Sequence, residues 1–428
     1  FKLGRIRHKV KLFLCLAILT TNKVFMVRRN WRVLLAPVAL QVTISLYGQD
    51  PPLASSSYYD LAGGLDNSHI QFDQTRQGRI AFLGGSITYN GGWRDSLMAY
   101  FEMRFPETDF EFVAAGIPSM GSTPSSFRLQ RDVISKGGID LLFLEAAVND
   151  ATNGRSTQEQ IRGMEGVVRN LRHANPMADI VIMHFVDPDK MNDYRQGKEP
   201  AVITSHNKVA HHYGIPTINL AKEVTDRIDN QEFSWEDDFK DLHPSPFGQG
   251  VYARSMIQLL DQAYGPELST NARKMPHTSP EKLDPWCYDH GILVDISTIK
   301  LTPGWTIDPK WEPHDDTGTR NNYTAVPMLI CHTPGAIISY DFKGSAVGIA
   351  VAAGQDAGTI EYRIDQGPWQ KQNLFTRWSK QLHLPWYYTL ASELPKQPHH
   401  LELRVSQEKD LQSNGHACRI RYFFVNAR

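Results

Sequence analysis

A serine between small residues, directly after a short apolar run, is the first feature of this chain that points to chemistry: Leu83-Gly84-Gly85-Ser86-Ile87-Thr88. If Arg79–Leu83 forms a strand of a parallel sheet, the residue just past its C-terminal end stands in the crevice where such sheets hold ligands. The two glycines let the backbone turn and let a carbonyl approach, so Ser86 is placed as a nucleophile and its amide as a donor to a developing oxyanion. A structural or phosphate-cradling glycine turn is the other reading of this segment on its own.

A hydroxyl of ordinary acidity needs a base. Asp241-Leu242-His243-Pro244 supplies an imidazole with a carboxylate two residues before it, in a loop that opens a helix. His243 is the candidate base, with Asp241 or Asp238 to orient its ring. Ala147-Val148-Asn149-Asp150 follows the apolar run Leu141–Glu145, which puts Asn149 at the same sheet edge as Ser86, as an oxyanion donor, with Asp150 holding the loop. Ala115-Gly116-Ile117-Pro118-Ser119-Met120-Gly121 follows another apolar run and offers further backbone amides, at Gly116 or Ser119, to the same oxyanion.

These residues are useful only if something aligns them. From Arg79 to Tyr264 short apolar runs alternate with longer amphipathic ones, the pattern of β-α units around a parallel sheet. Strands are expected at Arg79–Leu83, Phe110–Ala114, Leu141–Glu145, Ile180–Phe185 and Thr217–Leu220. Helices are expected at Trp93–Phe105, Phe127–Ile134, Gln158–Ala174, Ala201–Tyr213 and Gly248–Tyr264, from apolar residues at i, i+3 and i+4. The expected fold class is α/β, a three-layer α/β/α domain spanning 75–268 after a lead-in at 51–74.

Residues 269–290 are polar and proline-rich and read as a linker. Beyond it, Ile337–Phe342, Ala346–Ala352, Thr359–Ile364, Leu401–Val405 and Ile420–Val425 alternate in period two between Gly, Pro and Asp turns. Residues 291–428 are therefore expected to form a smaller antiparallel β-sandwich of jelly-roll type. It is rich in aromatics, Trp305, Trp311, Trp369 and Trp378 among them. Trp386-Tyr387-Tyr388 is the best candidate for stacking on sugar rings, since neighbouring strand residues face opposite sides. A sandwich core built of the same aromatics is the competing explanation.

Taken together and in this order, the Gly-Gly-Ser-Ile-Thr, Ser119, Val-Asn-Asp and His-Pro segments resemble those of the SGNH hydrolases, also called GDSL esterases and lipases, over about residues 75–265. The resemblance implies a flavodoxin-like fold, Ser86 as nucleophile, Asn149 as oxyanion donor, His243 as base, ester substrates and no metal or cofactor. Three positions depart from the family pattern: Gly85 replaces its Asp, Ser119 falls where its second-block Gly is expected, and Lys240 occupies the place of its acid. The Asp241 spacing is similar to that of a related alginate-acetylating branch. A secreted esterase removing acyl groups, acetyl first among them, from a poly- or oligosaccharide is the function implied. An O-acyltransferase, a lipase and a non-catalytic carbohydrate-binding protein are its rivals.

Composition is consistent with this. The 428 residues are 41% hydrophobic and 21% charged, with a net charge of -1, which gives no electrostatic reason to expect nucleic acid or an anionic membrane as partner. Residues 1–50 hold two basic-then-apolar stretches. The better formed starts at Met26 and reads as a secretory signal, so a secreted or periplasmic location is expected. Neither apolar run reaches the ~20 residues of a membrane span. Of the four cysteines, Cys287, Cys331 and Cys418 lie in the second half, as one disulfide plus a thiol or as three buried thiols.

Overall fold

The computed structural model describes residues 52–427, and the targeting segment read at 1–50 lies outside them. A six-stranded sheet carries the first half: β1 (Tyr59–Asp60), β2 (Gln77–Gly84), β3 (Asp109–Gly116), β4 (Leu141–Glu145), β5 (Asp179–Met183) and β6 (Thr217–Ile218). Their order is β1-β6-β5-β4-β2-β3, parallel throughout except for the short antiparallel β1 at one edge. The central strands are apolar on both faces, as a sheet covered on both sides requires. Ile80 and Phe82 of β2 with Leu141 and Phe143 of β4 enter one core; Ala81, Leu83, Leu142 and Leu144 enter the other. Helices Trp93–Arg104 and Pro246–Ala263 pack on the first side; Ser122–Asp132, Thr157–Ala174 and Ala201–Tyr213 lie on the second. This is the expected three-layer arrangement.

The second half contains β7 (Gly291–Asp295), β8 (Thr306–Trp311), β9 (Gly318–Thr319), β10 (Val326–Cys331), β11 (Ile337–Gly344), β12 (Val347–Ala353), β13 (Thr359–Ile364), β14 (Gln370–Asn373), β15 (Leu382–Ala391), β16 (Gln397–Val405) and β17 (Cys418–Asn426). One sheet runs β8-β10-β17-β12-β15-β9, with β7 also on β17, and a four-stranded sheet runs β11-β16-β13-β14. Pairing is antiparallel except between β9 and β15. Val347, Ile349 and Val351 of β12 face the core between the two sheets, whereas Ala350 and Ala352 face the α/β layers. There they meet Ile117, Met120, Phe127 and Tyr288 in a shared apolar cluster. Phe127 is its centre, with ring centroids 4.4 Å from Phe424 and 4.8 Å from Tyr288.

Residues 265–290, the segment read as a linker, are irregular and are fastened to the α/β layers. His277 Nε2 lies 2.9 Å from Asp179 Oδ1, Glu165 accepts the Leu283 and Asp284 amides, and Cys287 and Tyr288 are fully buried. Trp386-Tyr387-Tyr388 presents no open aromatic patch. Tyr387 is buried against the α/β layers beside Phe424, and Trp386 and Tyr388 pack onto the core between the two sandwich sheets. Neighbouring residues do face opposite sides, but both sides of this sheet are covered. The three cysteines of the second half are free and buried.

Candidate active site

The segments that leave the C-terminal ends of β2, β3 and β4 each bring one group to the same place: Ser86, Ser119 and Asn149. After β2, Gly85 precedes the one-turn helix Ser86–Tyr89, whose first residue is the candidate nucleophile. Ser86 Oγ lies 2.7 Å from His243 Nε2, hydrogen-bond distance for a hydroxyl and an unprotonated ring nitrogen. His243 belongs to a loop pinned at its far end. Ser245 caps helix Pro246–Ala263 through Gly248 N–H, donates its hydroxyl to the Asp238 carbonyl, and sends its amide to the Phe239 carbonyl. The helix start therefore fixes where the imidazole stands.

Neither candidate acid makes a hydrogen bond to the ring. Asp241 Oδ1 stands 3.8 Å from His243 Nδ1, beyond hydrogen-bond length, and accepts the backbone N–H of His243 instead. Asp238 is spent on the Ser234 amide and hydroxyl. Lys240, at the position of the family's acid, has φ +86° and sits in a tight turn. Burial holds the His243 imidazole below its usual range; the Asp241 charge opposes this and the Arg320 charge reinforces it.

Asn149 lies in the short helix Ala147–Thr152 that follows β4 and lines a cavity of about 270 Å³ together with Ser86, Ser119 and His243. A Cβ at Gly85 would come within 1.9 Å of Asn149 Oδ1, so the absence of a side chain at Gly85 lets the Asn149 amide lie directly against the backbone before the nucleophile. Ser119 stands at φ +72° in a turn closed by Met120 N–H to the Ile117 carbonyl, and Asn153 donates to its own carbonyl. A left-handed residue inside a turn is where glycine is commonly found, which accounts for the family's glycine at this position; Ser119 keeps the same backbone conformation.

Gly116 does not line the cavity. A Cβ there would lie 2.4 Å from Tyr89 N, so its smallness lets β3 approach the nucleophile's helix. Asp150 is fully buried, with Oδ1 accepting the Ser122 amide and Oδ2 3.0 Å from His206 Nε2. It ties the Asn149 loop to the helix after Gly121.

Sequence reasoning missed several residues. Glu145, the last residue of β4, is buried and accepts the Val148 amide one residue before Asn149; burial pushes its carboxyl up to about 7. Its position in an apolar strand run was the available signal. The sandwich supplies Arg320, Gln381, Leu382 and Leu384 to the cavity, along with Trp378, which sequence reading had placed only among the general aromatics. No local pattern could reveal that, because these side chains arrive through the tertiary fold. The contact is fastened by Asn321 Nδ2 donating to Tyr89 Oη (2.9 Å), Arg377 to the Thr152 carbonyl (2.8 Å) and Arg155 to the Tyr387 carbonyl (2.8 Å).

A serine and imidazole in contact beneath an amide-bearing loop can transfer acyl groups. Residues 82–251 match the model of the GDSL-like Lipase/Acylhydrolase family. This stretch is a GDSL-like lipase/acylhydrolase domain. That domain makes the chain a carboxylic ester hydrolase. Its two-part architecture is similar to that of a two-domain esterase (CEX) active on acetylated mannans, co-crystallized with mannopentaose, at 18% identity and a TM-score of 0.67 over 87% of this chain and 97% of that one. A second structure of a two-domain esterase (CEX) active on acetylated mannans gives 19% identity and a TM-score of 0.65, covering 86% and 98%. These similarities establish a common fold of SGNH domain plus appended β-domain. Among curated proteins none matches the sequence. Among the described residues no group of three or more His, Cys, Asp or Glu side chains is arranged to hold a metal ion, and no helix is long and apolar enough to cross a membrane.

Proposed function

We propose that the protein is a secreted carbohydrate esterase that hydrolyses O-acetyl groups through an acyl-enzyme on Ser86. The 2.7 Å approach of Ser86 Oγ to His243 Nε2 carries this reading. Ser86 Oγ attacks the acyl carbon while Nε2 takes its proton. The oxyanion is received by the Asn149 side chain and the backbone amides of Ser86 and Ser119. The tetrahedral intermediate collapses as His243 returns the proton to the departing sugar hydroxyl, leaving acetyl on Ser86. Water, deprotonated by the same nitrogen, then releases acetate and restores the serine.

Carbohydrate is favoured as the leaving group by the cavity's construction. Its walls combine Asn, Thr, Gln and Arg side chains with Trp378 and several leucines, drawn from both halves of the chain, a mixture suited to hydroxyls and to the apolar face of a pyranose. Acetylated mannans are the substrates of the enzyme whose fold this chain shares, which supports acetyl as the acyl group. The test is acetate release from acetylated glucomannan, xylan and pectin, and from an aryl acetate, beside Ser86→Ala. Release that disappears in the variant is expected. No release from any ester, with Ser86 inert to a covalent serine probe, would overturn the reading.

A further inference from the structure

Arg320 is the only side chain of fixed charge lining either of the two cavities that open onto Ser86 and His243. Among the described residues no carboxylate stands within 4.0 Å of its guanidinium, in contrast to Arg162, Arg227, Arg363, Arg404 and Arg419, each of which holds an acid. It is half-buried, and its Nε is shut off from solvent without a hydrogen-bond partner. An unpaired, partly desolvated guanidinium is costly unless something anionic or oxygen-rich fills its fork.

The backbone that carries it is held on both sides. Thr319 pairs with His383 in the β9–β15 bridge and donates its hydroxyl to the His383 carbonyl. The Arg320 carbonyl accepts the Tyr323 amide, and Asn321 is bonded to Tyr89 on the nucleophile's own helix. A cation so placed keeps its position relative to Ser86 without substrate to organise it.

We propose that Arg320, a residue of the appended β-domain, determines substrate choice by binding a carboxylate close to the scissile ester, so that the preferred substrate is an O-acetylated glycan containing uronic acid. This rests on the esterase reading above and makes it specific. A neutral acetylated glycan leaves the guanidinium facing water, whereas a uronate forms a charge-assisted pair with it in a partly desolvated cavity.

The test compares the full chain on acetylated oligogalacturonate and on the same material methyl-esterified at its carboxyls, at equal acetyl content, following acetate release. The expected kcat/KM is about tenfold to a hundredfold higher on the free acid, the range for a hydrogen bond to a charged group. That gap should narrow with added salt. Arg320→Gln should bring the two substrates to a ratio near one, and Arg320→Lys should restore part of the preference, with thermal unfolding showing that both variants fold. Equal turnover of the two forms by the native chain, or an undiminished preference in Arg320→Gln, would overturn the proposal while leaving the esterase intact. If neither these substrates nor an aryl acetate is cleaved, the esterase reading falls and this one with it.

Discussion

Asp241 meets His243 at the backbone and not at the ring: its Oδ1 accepts the His243 amide at 2.5 Å and stands 3.8 Å from Nδ1. The carboxylate therefore shapes the loop that aims the imidazole and acts on its charge only through space. Asp241→Ala should lower kcat by roughly tenfold to a hundredfold, well short of the ~10⁴ seen when a ring-bonded triad acid is neutralised. Because the Asp241 charge raises the His243 pKa and Arg320 lowers it, the acid limb of kcat/KM should move to lower pH in Asp241→Ala and to higher pH in Arg320→Gln. In the native chain that limb should lie below the ordinary histidine value of 6.5. Opposite movements would show that another group titrates in the limb.

Asn149 is expected to act on the transition state alone. Asn149→Ala should reduce kcat by roughly 10²–10³ with KM little changed, the cost of one oxyanion donor. A rise in KM at constant kcat would assign the side chain to ground-state binding.

Ser119 occupies left-handed backbone at φ +72°, which L-residues tolerate at about 1–2 kcal/mol. Ser119→Gly should keep both stability and activity. Ser119→Val, β-branched at the same φ, should unfold at lower temperature and lose turnover as the 119 amide shifts. Equal thermal midpoints for the two variants would argue against strain in this turn.

Glu145 works in the opposite sense to most carboxylates. Its folded-state pKa is raised from 4.5 to about 7 by burial, so the native protein takes up a proton that the unfolded chain has released, and stability falls as pH climbs through that interval. Glu145→Gln keeps an acceptor for the Val148 amide and carries no charge. The variant should match the native chain near pH 4 and exceed it by on the order of 1–3 kcal/mol at pH 8, read by denaturant unfolding at both values. A constant difference across pH would place the carboxyl in a more solvated environment.

The strands were legible where both faces are buried. Leu141–Glu145, buried at every position, begins and ends where its apolar run does, and Thr359–Ile364 is bounded by the period-two alternation of its side chains. β7 to β10 and β14 went unread and β15 was touched only at Trp386–Tyr388: β8 and β14 carry exposed polar positions, and prolines interrupt the patterns of β10 and β15. In the site, glycine turns and the His-Pro helix start pointed to Ser86 and His243 because their geometry is set by neighbours in sequence. At Gly116 the sequence could not separate strand-end packing from oxyanion binding, since both favour the same small residue. Arg320 left no trace and Trp378 stood only among the aromatics of the sandwich, as their relation to Ser86 comes from the docking of one sheet on the α/β layers.

That docking decides how such a chain can change over generations. Ala350, Ala352, Tyr387 and Phe424 are buried only because Ile117, Met120, Phe127 and Tyr288 cover them, so neither half can be shuffled onto a stranger without exposing a greasy face. Novel specificity cannot then be acquired by borrowing a foreign binding module. Point substitution in the segments that line the cavities, among them 319–321 and 378–384, is the route left open, with hydrolase and sandwich inherited as one piece.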